Sequence, residues 1–232
     1  MNRLIPVWRN SILYFSVLLF LFITGTVFLL AFGKTASFIS LNNYHTPWLD
    51  LFFIYYTYMG DGIFALCLVL LFILRQKKRK EGVALLFAFL ISGLIAQVIK
   101  TLVNEPRPKL FFEPNTYSYF INGVSLSNNA SFPSGHTASA FALTTVMILF
   151  IKNRVWHIPL LLAAILVGYS RIYLAQHFLG DVLVGAFIGT VSGILAVFLS
   201  GKLTWHWISY PKLKPKGSEI KSPSSVGTIQ PV

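Results

Sequence analysis

A group of polar side chains interrupts an apolar part of the chain at a spacing that could support nucleophilic chemistry. Residues 170–181 read SRIYLAQHFLGD and hold Ser170, Arg171, His177 and Asp181 between two long apolar runs. Ionisable side chains within a bilayer are costly, so their presence indicates a function. On a helix, His177 and Asp181 would share a face because they are four residues apart. The carboxylate could then hold one imidazole nitrogen and leave the other as a nucleophile.

Two cations in an earlier segment extend this chemistry toward phosphate. The segment KTLVNEPRP begins at Lys100 and contains Arg107 seven residues later. Together with Arg171 they make three cations, which match a dianionic phosphoryl group, and an arginine can hold two of its oxygens in a bidentate fork. This set predicts a site that binds a phosphate.

A third segment, FPSGH, ends in Ser134, Gly135 and His136 and precedes an apolar run. A serine here is typical of a helix start, where free N–H groups and the helix dipole favour an anion. The glycine would let the backbone approach a ligand. His136, at a different helix end from His177, would be free to protonate a leaving oxygen as a general acid.

The composition places these residues in a membrane protein. Of the 232 residues, 55% are hydrophobic and only 11% are charged, whereas soluble domains carry about 25% charged residues. The net charge of +12 gathers in short loops and in the C-terminal tail, which indicates membrane topology and not nucleic-acid binding. The single cysteine, Cys67, can form no intrachain disulfide.

The apolar runs predict an all-α, polytopic membrane protein, since a spanning helix needs about 20 mostly apolar residues. We expect a stub at 1–10, a transmembrane domain at 11–200 with the polar segments within 100–181, and a basic, disordered tail at 201–232. The six predicted spans are 11–33, 55–74, 82–102, 136–152, 157–174 and 181–200.

The positions of lysine and arginine predict the orientation. With six spans, the cations of the stub, of the loop RQKKRKE, of the loop with Lys152 and Arg154, and of the tail all lie on one side. That side is expected to be cytoplasmic, with both termini. The polar segments then meet at the outer face, in what we expect to be a bacterial inner membrane.

In their order and spacing, the three segments resemble the signatures of the type 2 phosphatidic acid phosphatase (PAP2) family, which is related to the vanadium haloperoxidases. KTLVNEPRP matches K-x6-R-P, FPSGH matches P-S-G-H, and SRIYLAQHFLGD matches S-R-x5-H-x3-D. The resemblance covers roughly residues 50–200, and no motif position departs from the pattern. It implies a PAP2-like bundle of helices.

The resemblance also implies a metal-independent, two-step phosphatase that needs no cofactor. His177 would be the nucleophile that forms a phosphohistidine, Asp181 would orient it, and His136 would be the acid for the leaving group. Family members of this shape act on lipid phosphates or diphosphates, such as phosphatidylglycerol phosphate, phosphatidic acid or a polyprenyl diphosphate, at the outer face. The residues implied to bind the phosphoryl oxygens are Lys100, Arg107, Ser134, Gly135 and Arg171.

Several alternatives stay open at this point. The same site could pass the phosphoryl group to an acceptor lipid or sugar, which would make the protein a phosphotransferase. A transporter or flippase is a different class, but transporters place ionisable groups near the midplane on broken helices, and here they cluster at helix ends. Asp61 could lie near the site or be a solvated interfacial carboxylate. The aromatic loop 109–131 could form a lid that selects substrates or could anchor at the interface.

Overall fold

The computed structural model describes residues 11–112, 117, 119–121, 124 and 129–207. The predicted stub, part of the loop 109–131 and the tail from residue 208 onward lie outside these residues. Within them the secondary structure consists of helices and short 3-10 turns, without a strand. The helices are α1 (Ile12–Asn42), α2 (Pro47–Tyr56), α3 (Gly62–Leu74), α4 (Arg79–Val103), α5 (Pro108–Phe111), α6 (Gly135–Phe150), α7 (His157–Tyr173) and α8 (Leu179–Trp207).

The predicted all-α class is confirmed, but the structure gives a smaller number of clear spans than six. Among the described residues, four segments are long and apolar enough to cross a membrane, or five if one bent pair counts as a span. At 16 residues, α6 is apolar but short for a crossing. The count of six therefore stays a prediction. The four segments are Ile12–Asn42, Arg79–Phe111, Arg154–Tyr173 and Leu179–Lys202.

The bent pair corresponds to the predicted span 55–74 and shows why that prediction was too simple. The segment Pro47–Gly60 and helix α3 meet at 54°. Asp61 lies at the break in an extended conformation, and its carboxylate accepts a hydrogen bond from Ile63 N at 2.9 Å. Because this N-cap begins a new helix, the chain changes direction at Asp61.

Helix α1 is also longer than the predicted span 11–33. It continues to Asn42 past a break at Gly33, whose φ of 75° is a conformation that suits glycine. The far end is fixed by Asn42, which is buried and donates to Ile172 O at 2.6 Å and to Tyr173 O at 2.7 Å. The last carbonyls of α7 are thereby satisfied by a side chain of α1.

Helices α6 and α8 pack so closely that their contact requires glycine. A β-carbon at Gly189 would lie 2.3 Å from Ala138 O, and one at Gly185 would lie 2.6 Å from Ser134 O. Gly193 continues the same row of α8 at a four-residue interval. Such small-xxx-small rows let transmembrane helices approach closely. They hold the start of α6 against the start of α8, where the polar segments meet.

Candidate active site

The turn between α7 and α8 carries His177 and is built on the end of α7. Ala175 adopts a left-handed conformation with φ of 52°, which reverses the chain. The backbone N–H groups of Gln176 and His177 then both donate to Arg171 O, at 2.9 and 3.1 Å. The position of the imidazole is therefore tied to the helix end that also carries Arg171.

Asp181 is the centre of the hydrogen bonding around His177. His177 Nδ1 lies 3.3 Å from Asp181 Oδ2, as the four-residue spacing predicted. The same oxygen accepts from Ser131 Oγ at 2.5 Å and from Phe178 N at 3.0 Å. Donors to an ionised oxygen stabilise the charged form, so the structure holds a buried carboxylate against one imidazole nitrogen.

His177 is only 1% exposed, and this burial lowers the pKa of its imidazole to about 3. The hydrogen bond to Asp181 acts in the opposite direction, while the positive charges of Arg171 and Arg107 lower the pKa further. The imidazole is consequently neutral at physiological pH. A neutral ring whose Nδ1 proton faces a carboxylate keeps the Nε2 lone pair for reaction.

The three predicted cations are held by polar groups of the surrounding loops and helices. Lys100 Nζ donates to Ala130 O at 2.9 Å. Arg107 Nε donates to Asn129 O at 3.2 Å, and its Nη1 donates to Gln176 Oε1 at 2.6 Å. The segment before FPSGH and the turn beside His177 thereby orient both cations of KTLVNEPRP.

Arg171 is the most buried of the three cations. It is 7% exposed and donates from Nη1 to Thr57 Oγ1 at 2.7 Å. Its buried Nε has no hydrogen-bond partner among the residues that the structure describes. An unpaired polar atom on a buried charged group is costly, so the guanidinium retains a donor suited to an anion.

The FPSGH segment, at the start of α6, lies beside His177 and Asp181. Ser134 caps α6, since its Oγ accepts from Thr137 N at 3.4 Å, and its own N–H donates to Asp181 O at 3.0 Å. The serine is fully buried, and its hydroxyl pairs with Thr137 Oγ1 at 2.8 Å. A β-carbon added at Gly135 would meet no heavy atom within 4 Å. Open space therefore borders the free N–H groups at the start of α6.

His136 follows in the first turn of α6 and faces Asp61. The two side chains approach to 3.8 Å between Nε2 and Oδ2, and about a third of each is exposed. Gly60 is essential to this approach, because a β-carbon there would lie 2.8 Å from His136 O. Of the two alternatives for Asp61, the structure favours the one that places it beside the site.

Other polar contacts in the site were not found by sequence reasoning. Ser131 and Gln176 contact the motif residues Asp181 and Arg107, as described above, although neither occupies a motif position. Gln176 was weakly indicated by the sequence, since it is a polar amide within the otherwise mostly apolar spacer IYLAQ of the third segment. Ser131 carried none, since a serine in a polar loop is unremarkable before the fold places it against Asp181.

The described part of the aromatic loop packs over the turn that holds His177. Phe112 and Tyr117 stack on each other, and both contact Phe38 of α1. Phe38 in turn contacts Phe178, the residue after His177, at 5.3 Å between ring centroids. These rings pack beside the turn that carries His177, and a lid over the site stays a prediction. A role in substrate choice stays a prediction.

No group of three or more His, Cys, Asp or Glu side chains suited to a metal ion occurs in the part of the chain described. The site instead combines cations, two imidazoles and a helix start at one end of a helical bundle. That combination is typical of a helical membrane protein with a site suited to an anion.

Comparison with known proteins supplies the family. The profile of the PAP2 superfamily matches residues 81–205, which include all three segments. The chain therefore belongs to the PAP2 superfamily, which confirms the resemblance.

Similar proteins include a lipid A 4'-phosphatase of Bacteroides thetaiotaomicron, 28% identical over 185 residues that cover 78% of this chain and 82% of the relative. The undecaprenyl-diphosphatase BcrC of Bacillus subtilis is 30% identical over 154 residues, or 66% of this chain and 76% of the relative. The crystal structure of Aquifex aeolicus LpxE superposes with a TM-score of 0.63 at 32% identity, and the match covers 71% of this chain and 94% of that one.

Proposed function

We propose that this protein is a membrane phosphatase that hydrolyses a lipid phosphomonoester or diphosphate through a phosphohistidine, without a metal or cofactor. The observation that carries the proposal is the buried, neutral His177, held at Nδ1 by Asp181 and close enough to Arg171 and Arg107 for their positive charges to lower its pKa. A neutral imidazole is the nucleophilic form, and the nearby cations favour a phosphoryl group in front of it.

The first step would transfer the phosphoryl group to the enzyme. His177 Nε2 attacks phosphorus, and the bond from phosphorus to the lipid-side oxygen breaks. The imidazole gains positive charge, which the Asp181 carboxylate stabilises through the Nδ1 proton. His136 acts in its protonated imidazolium form and gives one ring proton to the leaving oxygen, so a monoester leaves as an alcohol and a diphosphate leaves as a lipid monophosphate.

The second step would release phosphate. Water attacks the phosphorus of the phosphohistidine and passes a proton to His136, which is thereby ready to act as an acid again. The bond between phosphorus and Nε2 breaks, and its electron pair returns to His177. Inorganic phosphate leaves, and both histidines return to their starting protonation states.

The cations and the start of α6 would bind the phosphoryl oxygens. Arg171 offers its unpaired buried Nε, and the space beside Gly135 leaves room for an oxygen at the free N–H groups of the helix. Lys100 and Arg107 are already oriented by backbone carbonyls, which reduces the cost of organising them around the transition state. Ser134 would serve mainly by capping this helix start.

The substrate class rests on the relatives and on the apolar surroundings. One relative named above is a lipid A 4'-phosphatase and another an undecaprenyl-diphosphatase, so a monoester and a diphosphate both occur among similar proteins. We infer from the loop charges that the site opens to the outer face of a bacterial inner membrane. The candidate substrates are phosphatidylglycerol phosphate, phosphatidic acid, polyprenyl diphosphate and a lipid A phosphate.

A trapping experiment tests the proposal. Purified protein in EDTA is mixed with a lipid labelled in its terminal phosphate and quenched in alkali, where phosphohistidine survives. Label is expected on the wild type and not on His177→Asn, which is also expected to release no phosphate. His157→Asn is a matched control, because His157 lies at the other end of α7. Phosphate release by His177→Asn, or dependence on added metal, would overturn the mechanism.

A further inference from the structure

A second site is suggested by a cavity at the end of the bundle opposite His177. The cavity has a volume of about 640 Å³ and surrounds the C-terminal end of α6. This end lies roughly 22 Å from the start of the helix, given about 1.5 Å of rise per residue. The apolar residues that form its walls are Phe72, Leu85, Val146, Met147, Phe150 and Leu160.

The rim of this cavity is basic and amphipathic. Lys78, Lys152, Asn153 and Trp156 line it together with Glu81, whose carboxylate pairs with Lys78 at 3.0 Å. The side chain of Lys78 is nevertheless 51% exposed. Trp156 is 57% exposed, and tryptophan is enriched where a membrane meets water. The rim therefore combines positive charge with an interfacial aromatic ring.

A smaller cavity adjoins the first along the bundle. A second cavity of about 170 Å³ shares Met147 and Leu160 with the first and runs between α3 and α7 over the surface of α6. Along α6 the combined groove extends from Ile151 to Ala140, which corresponds to roughly 16 Å. One leaflet of a bilayer has a hydrocarbon thickness of about 15 Å. The groove is thus long enough for one acyl chain.

We propose that this groove binds an anionic phospholipid of the leaflet at this end of the bundle, with its acidic headgroup at Lys78 and Lys152 and an acyl chain along Met147 and Leu160. Charge complementarity supports this occupant, because the rim carries a net positive charge in a segment already rich in lysine and arginine. The wider part of the groove lies at the basic end, where a headgroup would be seated. The bound lipid would join the α3–α4 turn to the α6–α7 loop.

Native mass spectrometry of the purified full-length protein tests this site independently of phosphatase activity. The protein is equilibrated with equal amounts of phosphatidylglycerol and phosphatidylcholine that have identical acyl chains. The wild type is expected to retain phosphatidylglycerol preferentially. The double variant Lys78→Ala/Lys152→Ala is expected to weaken that retention about 30-fold, the effect of removing two cations at a charged lipid surface.

Matched variants separate the groove from general attraction to anionic lipid. Arg75→Ala/Lys77→Ala removes the same amount of charge from the α3–α4 turn, outside the cavity lining, and we expect it to retain phosphatidylglycerol nearly as the wild type does. Met147→Trp should abolish retention by filling the groove, whereas Met147→Leu should not. Equal retention of the two lipids by the wild type would overturn the proposal. So would equal effects of the two double variants, or unchanged retention by a folded Met147→Trp.

Discussion

The glycine at the start of α6 offers a sharp test of where the phosphate binds. In Gly135→Ala the added methyl group would meet no heavy atom within 4 Å. Alanine also tolerates the helical conformation at this position, so we expect the melting temperature to change by less than about 2 °C, which corresponds to well under 1 kcal/mol. The methyl group would instead occupy the space assigned to a phosphoryl oxygen. Misplacing a reacting group by about 1 Å can cost roughly 100-fold in rate, and we expect kcat/KM to fall by about that factor.

Gly189→Ala is the matched control, because it adds the same methyl group where the structure leaves no room. Its β-carbon would lie 2.3 Å from Ala138 O and 2.9 Å from Ala142 N. Overpacking of this kind costs about 1–3 kcal/mol, or roughly 3–10 °C in melting temperature. Activity at low temperature should follow the folded fraction.

The assay is phosphate release from a lipid phosphate in mixed micelles, paired with thermal unfolding of the same samples. The two alanine variants should show opposite patterns, with Gly135→Ala stable and slow and Gly189→Ala unstable and comparatively active. Wild-type kcat/KM in Gly135→Ala would refute the assignment of the space at the helix start to the phosphate.

Three further predictions follow from the same geometry. Ser131→Ala removes one of the donors to buried Asp181 and should lower stability by about 1.5–3 kcal/mol, with a fall in kcat that Ser131→Thr partly restores. Asp61→Asn keeps an N-cap but loses the charge facing His136, so kcat should fall several-fold at unchanged melting temperature, whereas Asp61→Ala should also lose about 1 kcal/mol of stability. Burial lowers the pKa of His177 to about 3 in the folded protein. Below pH 6.5 the unfolded chain therefore binds more protons at this residue than the folded chain does. Unfolding measured across pH should therefore show stability falling from pH 6.5 toward 3, by up to about 1.4 kcal/mol per unit, and His177→Asn should flatten this slope.

The charged residues of the site were predictable because placing a charge inside a membrane costs free energy, so such residues are rare there. Arg171, His177 and Asp181 stand out in an apolar chain, and their spacing alone indicated the contact between the last two, which the structure shows at 3.3 Å. The same reasoning could not predict a role for Ser131, because a polar residue in a polar loop is common and indicates no function. Its importance depends on Ser131 Oγ reaching Asp181, fifty residues away in sequence.

The helix breaks were harder to predict than the helices. Hydropathy averages over many residues, so it joined the segments on either side of Asp61 into one span, although Gly60-Asp61-Gly62 is a turn signal. Gly33 carried less information, because an isolated glycine is common in transmembrane helices. Its positive φ lies at a break after which α1 continues for nine residues to Asn42, which binds the end of α7. The contact of Asn42 with α7 is tertiary and cannot be read from local sequence.

The glycine row of α8 gives a physical reason why the site can be well organised at the end of a helix pair. Gly185 lies one turn after Asp181, and the close contact of Gly185 with Ser134 O fixes the register of α8 against α6. Ser134 N donates to Asp181 O in the same turn, at 3.0 Å. A shift of one helix along the other would therefore break this hydrogen bond and separate the helix start from the pair His177–Asp181. The spacing between the N–H groups at the start of α6 and His177 is thus set by backbone packing.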